Sequence, residues 1–308
     1  MKHITIILAA LLLLGSQIAC CGISLPQAPD IEIPEIELPD VEINVPTIEA
    51  GEMQDERETV PLSGAESATV EIAFGAGELK IEAGASDPLF SGHFRYNVEH
   101  WAPEVTYEAD VLTIEQGGAG EDWGIPTGAV HNEWELEFSP EIPLEMDVEI
   151  GAGEGELDFT GLRLSELDMD LGAGDFEVRF DEPNEAEMSH LTLDTGASKL
   201  EMLGIGHAGP EQVNVKGGVG EIDLDFTGAW PRSADVQITA GIGSITLRLP
   251  DDVGVQVEME GGLTNVEVSG LRRTGDTYVN DAFGEAETEL YIQVTAGIGN
   301  IRLIEVSN

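Results

Sequence analysis

The amino-acid sequence predicts an all-β solenoid: a β-helix-like stack of repeats, each made of two short strands meeting at a glycine corner. Three observations carry this. A Gly-x-Gly core recurs as Gly75-Ala76-Gly77, Gly151-Ala152-Gly153, Gly172-Ala173-Gly174, Gly218-Val219-Gly220, Gly241-Ile242-Gly243 and Gly297-Ile298-Gly299, with degenerate copies at Gly196-Ala197-Ser198 and Gly262-Leu263-Thr264. From 151 the first glycines fall at 151, 172, 196, 218, 241, 262 and 297, in steps of 21, 24, 22, 23, 21 and 35 residues. A near-constant step in the low twenties marks a stacked repeat. Third, apolar and polar residues alternate on both sides of each turn, and no stretch sustains a 3.6-residue period. That alternation is the mark of strands with one buried face. A β-sandwich of repeated hairpins fits it too and is the alternative.

The chain opens with Met1-Lys2-His3, an apolar run over Ile4 to Gly15, then Ser16-Gln17-Ile18-Ala19-Cys20. This reads as a secretory signal over residues 1–19, set apart from the fold. A small residue before a cysteine resembles the lipobox of bacterial lipoproteins, which implies lipidation of Cys20. The alternative is an uncleaved anchor over about residues 4–21, long enough to span a bilayer. Both place the rest outside the cytoplasm. Residues 20–64 read as an acidic, proline-rich linker, with prolines at 26, 29, 34, 39 and 46 between alternating acidic and aliphatic residues. Proline donates nothing to a β ladder, so an extended spacer is expected. A partner-binding segment that adds as an edge strand is the other reading.

The folded domain is expected over 65–308, with 65–144 the less regular part and 145–308 the regular repeats. Within the first part, Ser67 to Ile81 reads as strand, turn, strand. Leu89 to Tyr96, Glu104 to Glu115 and the Trp134-Leu136-Phe138 run read as further strands, and Gln116 to His131 as a glycine-rich loop. In the repeats, Met146, Val148 and Ile150 precede a corner that Leu157 and Phe159 follow. The same arrangement recurs through Leu167 to Phe180, Leu191 to Met202, Val213 to Phe226, Val236 to Leu249, Val255 to Val268 and Leu290 to Leu303. One unit cannot bury its apolar face alone, but stacked units share a continuous core. The corner glycines permit positive φ or close stacking. Gly270 to Glu287 lengthens one step and is expected to be a loop.

Composition narrows the chemistry. There are 13 basic and 60 acidic residues, a formal net charge of −47, which argues against a nucleic-acid partner. The only cysteines are Cys20 and Cys21, so the domain is expected without disulfides or cysteine metal sites. Phosphate loops need a helix after the glycines, whereas strands come next here. Glu154, Glu156, Asp158, Asp168, Asp170 and Asp175 lie near consecutive corners and raise the question of calcium, against the plainer reading of a solvated acidic face. No Asp-x-Asp-x-Asp-Gly loop accompanies them. His93, His100, His131, His190 and His207 lack His-x-x-x-His spacing, and no nucleophile elbow supports a catalytic triad. Trp101, Trp123, Trp134 and Trp230 lie in or beside loops, as plugs of the stack or as exposed binding aromatics. No catalytic residue, metal site or cofactor is assigned.

Several runs together resemble bacterial toastrack-type domains, including those of LiaF-like cell-wall-active antibiotics response proteins and adhesin-type domains. They are F-G-A-G-E-L-K-I-E-A-G at 74–84, D-P-L-F-S-G-H-F at 87–94, W-E-L-E-F-S-P-E-I-P-L at 134–144, I-G-A-G-E-G-E-L-D-F-T-G-L-R-L at 150–164 and L-G-A-G-D-F-E-V at 171–178. The resemblance covers about Val70 to Val306. It implies a right-handed, helix-like β stack without enzymatic chemistry, used in envelope sensing or surface interaction. The expected function is a lipid-anchored, extracytoplasmic binding or sensing module of the bacterial cell envelope, with an envelope protein or glycan as partner. A structural, adhesin-like surface protein is the alternative, and a carbohydrate-active enzyme the third reading.

Overall fold

The structure, a computed structural model, describes residues 47–118, 125–127 and 129–308. Two compact units divide the chain, 1–44 and 45–308, and all described residues belong to the second. Its strands in chain order are β1 (Thr47–Glu49), β2 (Gln54–Val60), β3 (Ala68–Ala83), β4 (Phe90–Tyr96), β5 (Pro103–Glu108), β6 (Val111–Gln116), β7 (Ile125–Thr127) and β8 (Asn132–Phe138). The regular part comes next: β9 (Pro143–Asp158), β10 (Arg163–Arg179), β11 (His190–Leu203), β12 (Gln212–Asp225), β13 (Ala234–Pro250), β14 (Gly254–Ser269), β15 (Arg272–Thr274), β16 (Thr277–Val279) and β17 (Glu289–Val306). One helical turn, α1 (Ile205–Ala208), interrupts the array.

Each repeat is a single strand that bends at its glycines without breaking. The hydrophobic pattern shows why. In β9 the buried positions are Leu144, Met146, Val148 and Ile150 before the corner, then Gly155 and Leu157 after it. Inward residues switch from even to odd numbers across Gly-Ala-Gly, and β3 (Phe74, then Leu79) and β10 (Leu171, then Phe176) switch parity in the same way. A straight strand keeps one parity on one face. An odd step keeps both arms facing the same core only if the chain turns between them. The repeats pair in parallel with the next repeat, Met169 against Val148 and Leu193 on the two sides, rather than folding across the corner as hairpins. This excludes the sandwich of hairpins, and the main sheet is one open sheet of 15 strands.

Two expectations are corrected. The predicted linker ran to residue 64, yet Gln54–Val60 is a strand antiparallel to β4, and Thr47–Glu49 pairs with β7. Pro46 and Pro61 bracket a proline-free stretch, so that stretch can hydrogen-bond as a strand. Gly270 to Glu287 is not a plain loop either. It holds the antiparallel pair β15 and β16, and β16 covers Gln256–Glu258 of β14. The long step lets the chain double back, so that β17 lies between β13 and β14. Spatial order therefore departs from chain order at the C-terminal end.

At the N-terminal end the stack splits. The first arm of β3 pairs with β6, and the second with β8. An aromatic cluster closes this end: Phe74 and Phe94 meet the fully buried Trp134 edge-on, with ring centroids 5.0 and 5.1 Å away. Trp134 is thus core, not a loop aromatic. Trp230 is also buried, stacked on Phe226, with its ring N–H donated to the Phe226 carbonyl at 2.8 Å. Trp101 lies in a 3₁₀ turn, Glu99–Trp101. Trp123 lies outside the described residues.

Candidate binding face

The corners stack into columns. The first-glycine column runs Gly75, Gly151, Gly172, Gly196, Gly218, Gly241, Gly297 and Gly262. The second runs Gly77, Gly153, Gly174, Ser198, Gly220, Gly243, Gly299 and Thr264. The second glycines hold positive φ, for example +137° at Gly153 and +148° at Gly220. A Cβ on Gly153 would drive into the Gly77 carbonyl oxygen, and one on Gly151 into that of Gly75. Backbone lies against backbone along the whole edge, so these columns are structural.

Between the columns one residue per repeat points to solvent. Its identity changes along the stack: Ala76, Ala152, Ala173 and Ala197, then Val219, Ile242, Ile298 and Leu263. Val219, Ile242 and Ile298 are 56%, 55% and 54% exposed, and Leu263 is 81% exposed. Adjacent strands lie about 4.8 Å apart, so the four aliphatic side chains form a continuous ridge roughly 14 Å long. The ridge side chains flank a shallow cleft whose other lining is the corner glycines with Ile222, Ile245 and Ile301. Its polar lining includes the hydroxyl pair Thr195 and Ser198, bonded to each other, and Ser244, Thr264 and Asn300.

Charge is partitioned along the same axis. Outward side chains of the early repeats are carboxylates in register: Glu71, Asp147 and Asp168 on the first arm, and Glu78, Glu154 and Asp175 on the second. Burial, then the charges of Asp168, Glu71 and Asp170, push the Asp147 carboxyl above its ordinary range. The later repeats carry an amide ladder instead, Asn214, Gln237 and Gln293, which ends on Glu258 of β14. Their second arm presents Ser244, Asn300 and Asn265. The ridge therefore rises from the less acidic half of a strongly acidic protein.

The other candidates fall elsewhere. Of the six carboxylates weighed for calcium, Glu154, Glu156, Asp158 and Asp175 lie after their corners, and Asp168 and Asp170 before theirs. They are thus divided between two arms. Among the described residues no group of three or more His, Cys, Asp or Glu side chains is placed to hold a metal ion. His93 bridges strands, 3.2 Å from Asp55 and 3.1 Å from Glu135. His190 lies 3.3 Å from Asp168, and His131 3.1 Å from Glu133. His207 sits in α1, and His100 in the 3₁₀ turn. The histidines are therefore dispersed. Cys20 lies outside the described residues. Among the described residues no helix is long and apolar enough to cross a membrane. Strand periodicity does not single out the ridge residues, although their signal in the sequence is plain: Gly-Ala-Gly becomes Gly-Val-Gly and Gly-Ile-Gly midway along the repeats.

Fold and face together define a solenoid-like β-repeat protein with an exposed aliphatic ridge on its corners. The chain belongs to the toast_rack family: the model of the N-terminal domain of toast_rack matches residues 49–203 and 184–248. Among solved structures it is similar to a candidate cell adhesion protein of Clostridium sporogenes, at 24% identity over 83% of this chain and 100% of that one, with a TM-score of 0.46. A candidate adhesin of Bacteroides fragilis matches at 12% identity over 83% and 99%, TM-score 0.40. A candidate lipid binding protein of Parabacteroides distasonis matches at 12% over 83% and 99%, TM-score 0.35. No curated protein matches the chain.

Proposed function

We propose that this protein is a non-catalytic binding module of the bacterial cell envelope, held outside the cytoplasm through lipidated Cys20, and that it engages a partner through the corner ridge. The observation that carries the reading is the run Val219, Ile242, Ile298 and Leu263, exposed side by side. Scattered surface aliphatics need no explanation, but a contiguous row does. An aliphatic ridge with no aromatic platform suits a protein partner better than a glycan. The carboxylate ladders of the early repeats keep the molecule soluble and repel acidic surfaces, which leaves the less acidic half to a neutral, apolar partner surface. The adhesin-like reading shares this ridge and differs only in the consequence of binding, attachment in place of a relayed signal.

The test is saturable binding of the full chain to envelope fractions and whole cells, comparing wild type with Ile242→Glu/Ile298→Glu. Both side chains are half exposed, so the expected result is loss of saturable binding with the thermal midpoint held within a few degrees. Binding retained by a folded double variant would overturn the ridge as the site.

A further inference from the structure

The two ends of the stack are finished differently. At the N-terminal end both arms are covered, by β6 and by β8. The first corner is also capped. Gln116 Oε1 accepts from the backbone N–H of Gly75 at 3.0 Å and of Ala76 at 3.3 Å, while Asn132 Nδ2 donates to the Ala76 carbonyl at 2.7 Å. At the C-terminal end only the first arm is covered, by β16. The second arm of β14, Thr264–Ser269, pairs with β17 on one side and, among the described residues, with no strand on the other. Val266 and Val268 face inward opposite Ile301 and Leu303, which are buried, yet Val268 is 38% exposed. An open row of N–H and C=O groups flanked by half-covered valines is a template for another strand.

The remaining free edges of the main sheet are guarded. β2 carries Asp55, Glu56, Arg57 and Glu58. β5 starts with Pro103-Glu104 and ends at Glu108, and β15 carries Arg272 and Arg273. Charges and proline at an edge block pairing. Thr264–Ser269 holds a single charge, Glu267, and Arg302 of β17 lies 3.8 Å from it. Among the described residues, the edge without a guard is also the edge without a cap.

We infer that the Thr264–Ser269 edge pairs with the same edge of a second copy of this chain, antiparallel about a two-fold axis through Val266. Two copies that each carry −47 can meet only where charge is low, and this edge is such a place. The pleat limits the choice of register, because inward residues must oppose inward residues. A register centred on Glu267 would set Glu267 against its own copy, and like charges directly opposite are unfavourable. The register centred on Val266 sets Val266 on Val266, Thr264 on Val268, and the Asn265 amide beside Glu267 of the other copy. Charge and apolar surface are both complementary there. Six paired residues make a small interface, well under the roughly 1,200–2,000 Å² typical of tight complexes, so the dimer forms reversibly with concentration. This dimer does not depend on the ridge.

The test is oxidative crosslinking of the full chain carrying Val266→Cys, with the unmodified chain as the baseline for Cys20 and Cys21. Directly opposed strand residues have Cβ atoms about 4.5–5.5 Å apart, close to disulfide reach. A disulfide between the introduced thiols of two copies is expected, located by peptide mapping, with a yield that grows with protein concentration. Asn265→Lys, which places two cations against Glu267, is expected to raise the association constant roughly tenfold, and Asn265→Asp to lower it by a similar factor. Asn265 is exposed, so both substitutions leave the fold intact. The inference fails if Val266→Cys gives no link above the baseline at any concentration. It fails equally if the Lys and Asp variants do not move the yield in opposite directions.

Discussion

Gly153 and Gly284 have similar freedom in an unfolded chain but different surroundings in the fold. Both have positive φ, +137° and +83°. Around Gly284 nothing lies within 4 Å of an added Cβ, whereas at Gly153 it would collide with the Gly77 backbone. Gly284→Ala should therefore cost only the conformational strain, about 1–2 kcal/mol. Gly153→Ala adds a clash between two backbones that hold each other in register, and should cost on the order of 3 kcal/mol or more. Urea unfolding of the two variants checks this, and equal losses would refute the close-packed corner. These glycines are legible in the sequence because only glycine meets both demands, and the demand recurs in all repeats but the two degenerate ones, where Ser198 and Thr264 take the second position without positive φ. The residue between them is not. A search for alternating buried positions passes over the outward position at the bend, so Ile242 and Ile298 read as part of a turn rather than as surface.

At the scale of elements, strand content and arm boundaries are legible because each strand advertises one buried face. Pairing is not, since alternation says which side of a strand is buried and nothing about its neighbour. The place of β17 between β13 and β14 cannot be read from order along the chain. The long step of 35 residues is the visible trace of that doubling back. β2 is obscured for a different reason. Its residues Gln-Asp-Glu-Arg-Glu-Thr-Val are exposed almost throughout, so it lacks a hydrophobic period and blends into the acidic segment before it. Side chains fasten it to β4: the Tyr96 hydroxyl donates to Glu56 at 2.7 Å, and Arg57 and Asp55 meet His93, each at 3.2 Å. Burial, then the Glu56 carboxylate, push the Tyr96 phenol up to about 12. With a folded value above the unfolded value of about 10, this contribution is full below pH 10 and is lost as pH rises to about 12. The loss should reach about 2–3 kcal/mol in the wild type over that window. Tyr96→Phe should flatten it, as read by denaturant unfolding at stepped pH. An unchanged slope would show that Tyr96 does not couple β2 to the fold.

Across the whole molecule, the solenoid solves one problem and creates another. Stacking lets short arms share a core, so that Leu144, Leu167, Leu193, Val213 and Leu247 are all fully buried. Parallel, in-register stacking also repeats every outward side chain at about 4.8 Å. Where the repeats carry acids, it builds columns of like charge such as Glu71, Asp147 and Asp168. Like charges on adjacent strands are unfavourable, and a net charge of −47 adds repulsion over the whole surface. Partial burial first, and then the charges of Asp168, Glu71 and Asp170, raise the Asp147 carboxyl, so the repulsion shows there as the second cause. Since its folded value lies above its unfolded one, the protonated form is favoured in the fold, so stability from this group is present at low pH and lost as pH rises through the folded value. Salt should relieve the same repulsion, because the Debye length falls from roughly 30 Å at 0.01 M to about 3 Å at 1 M. The thermal midpoint is therefore expected to rise with sodium chloride at neutral pH. Asp147→Asn should raise it in low salt and reduce its salt dependence, since the substitution removes the middle charge of a column while keeping the shape of the side chain. Calorimetry of wild type and variant across the salt series decides the point. A midpoint that falls with salt, or an Asn variant less stable than wild type in low salt, would mean that the carboxylate columns are held by interactions stronger than their mutual repulsion.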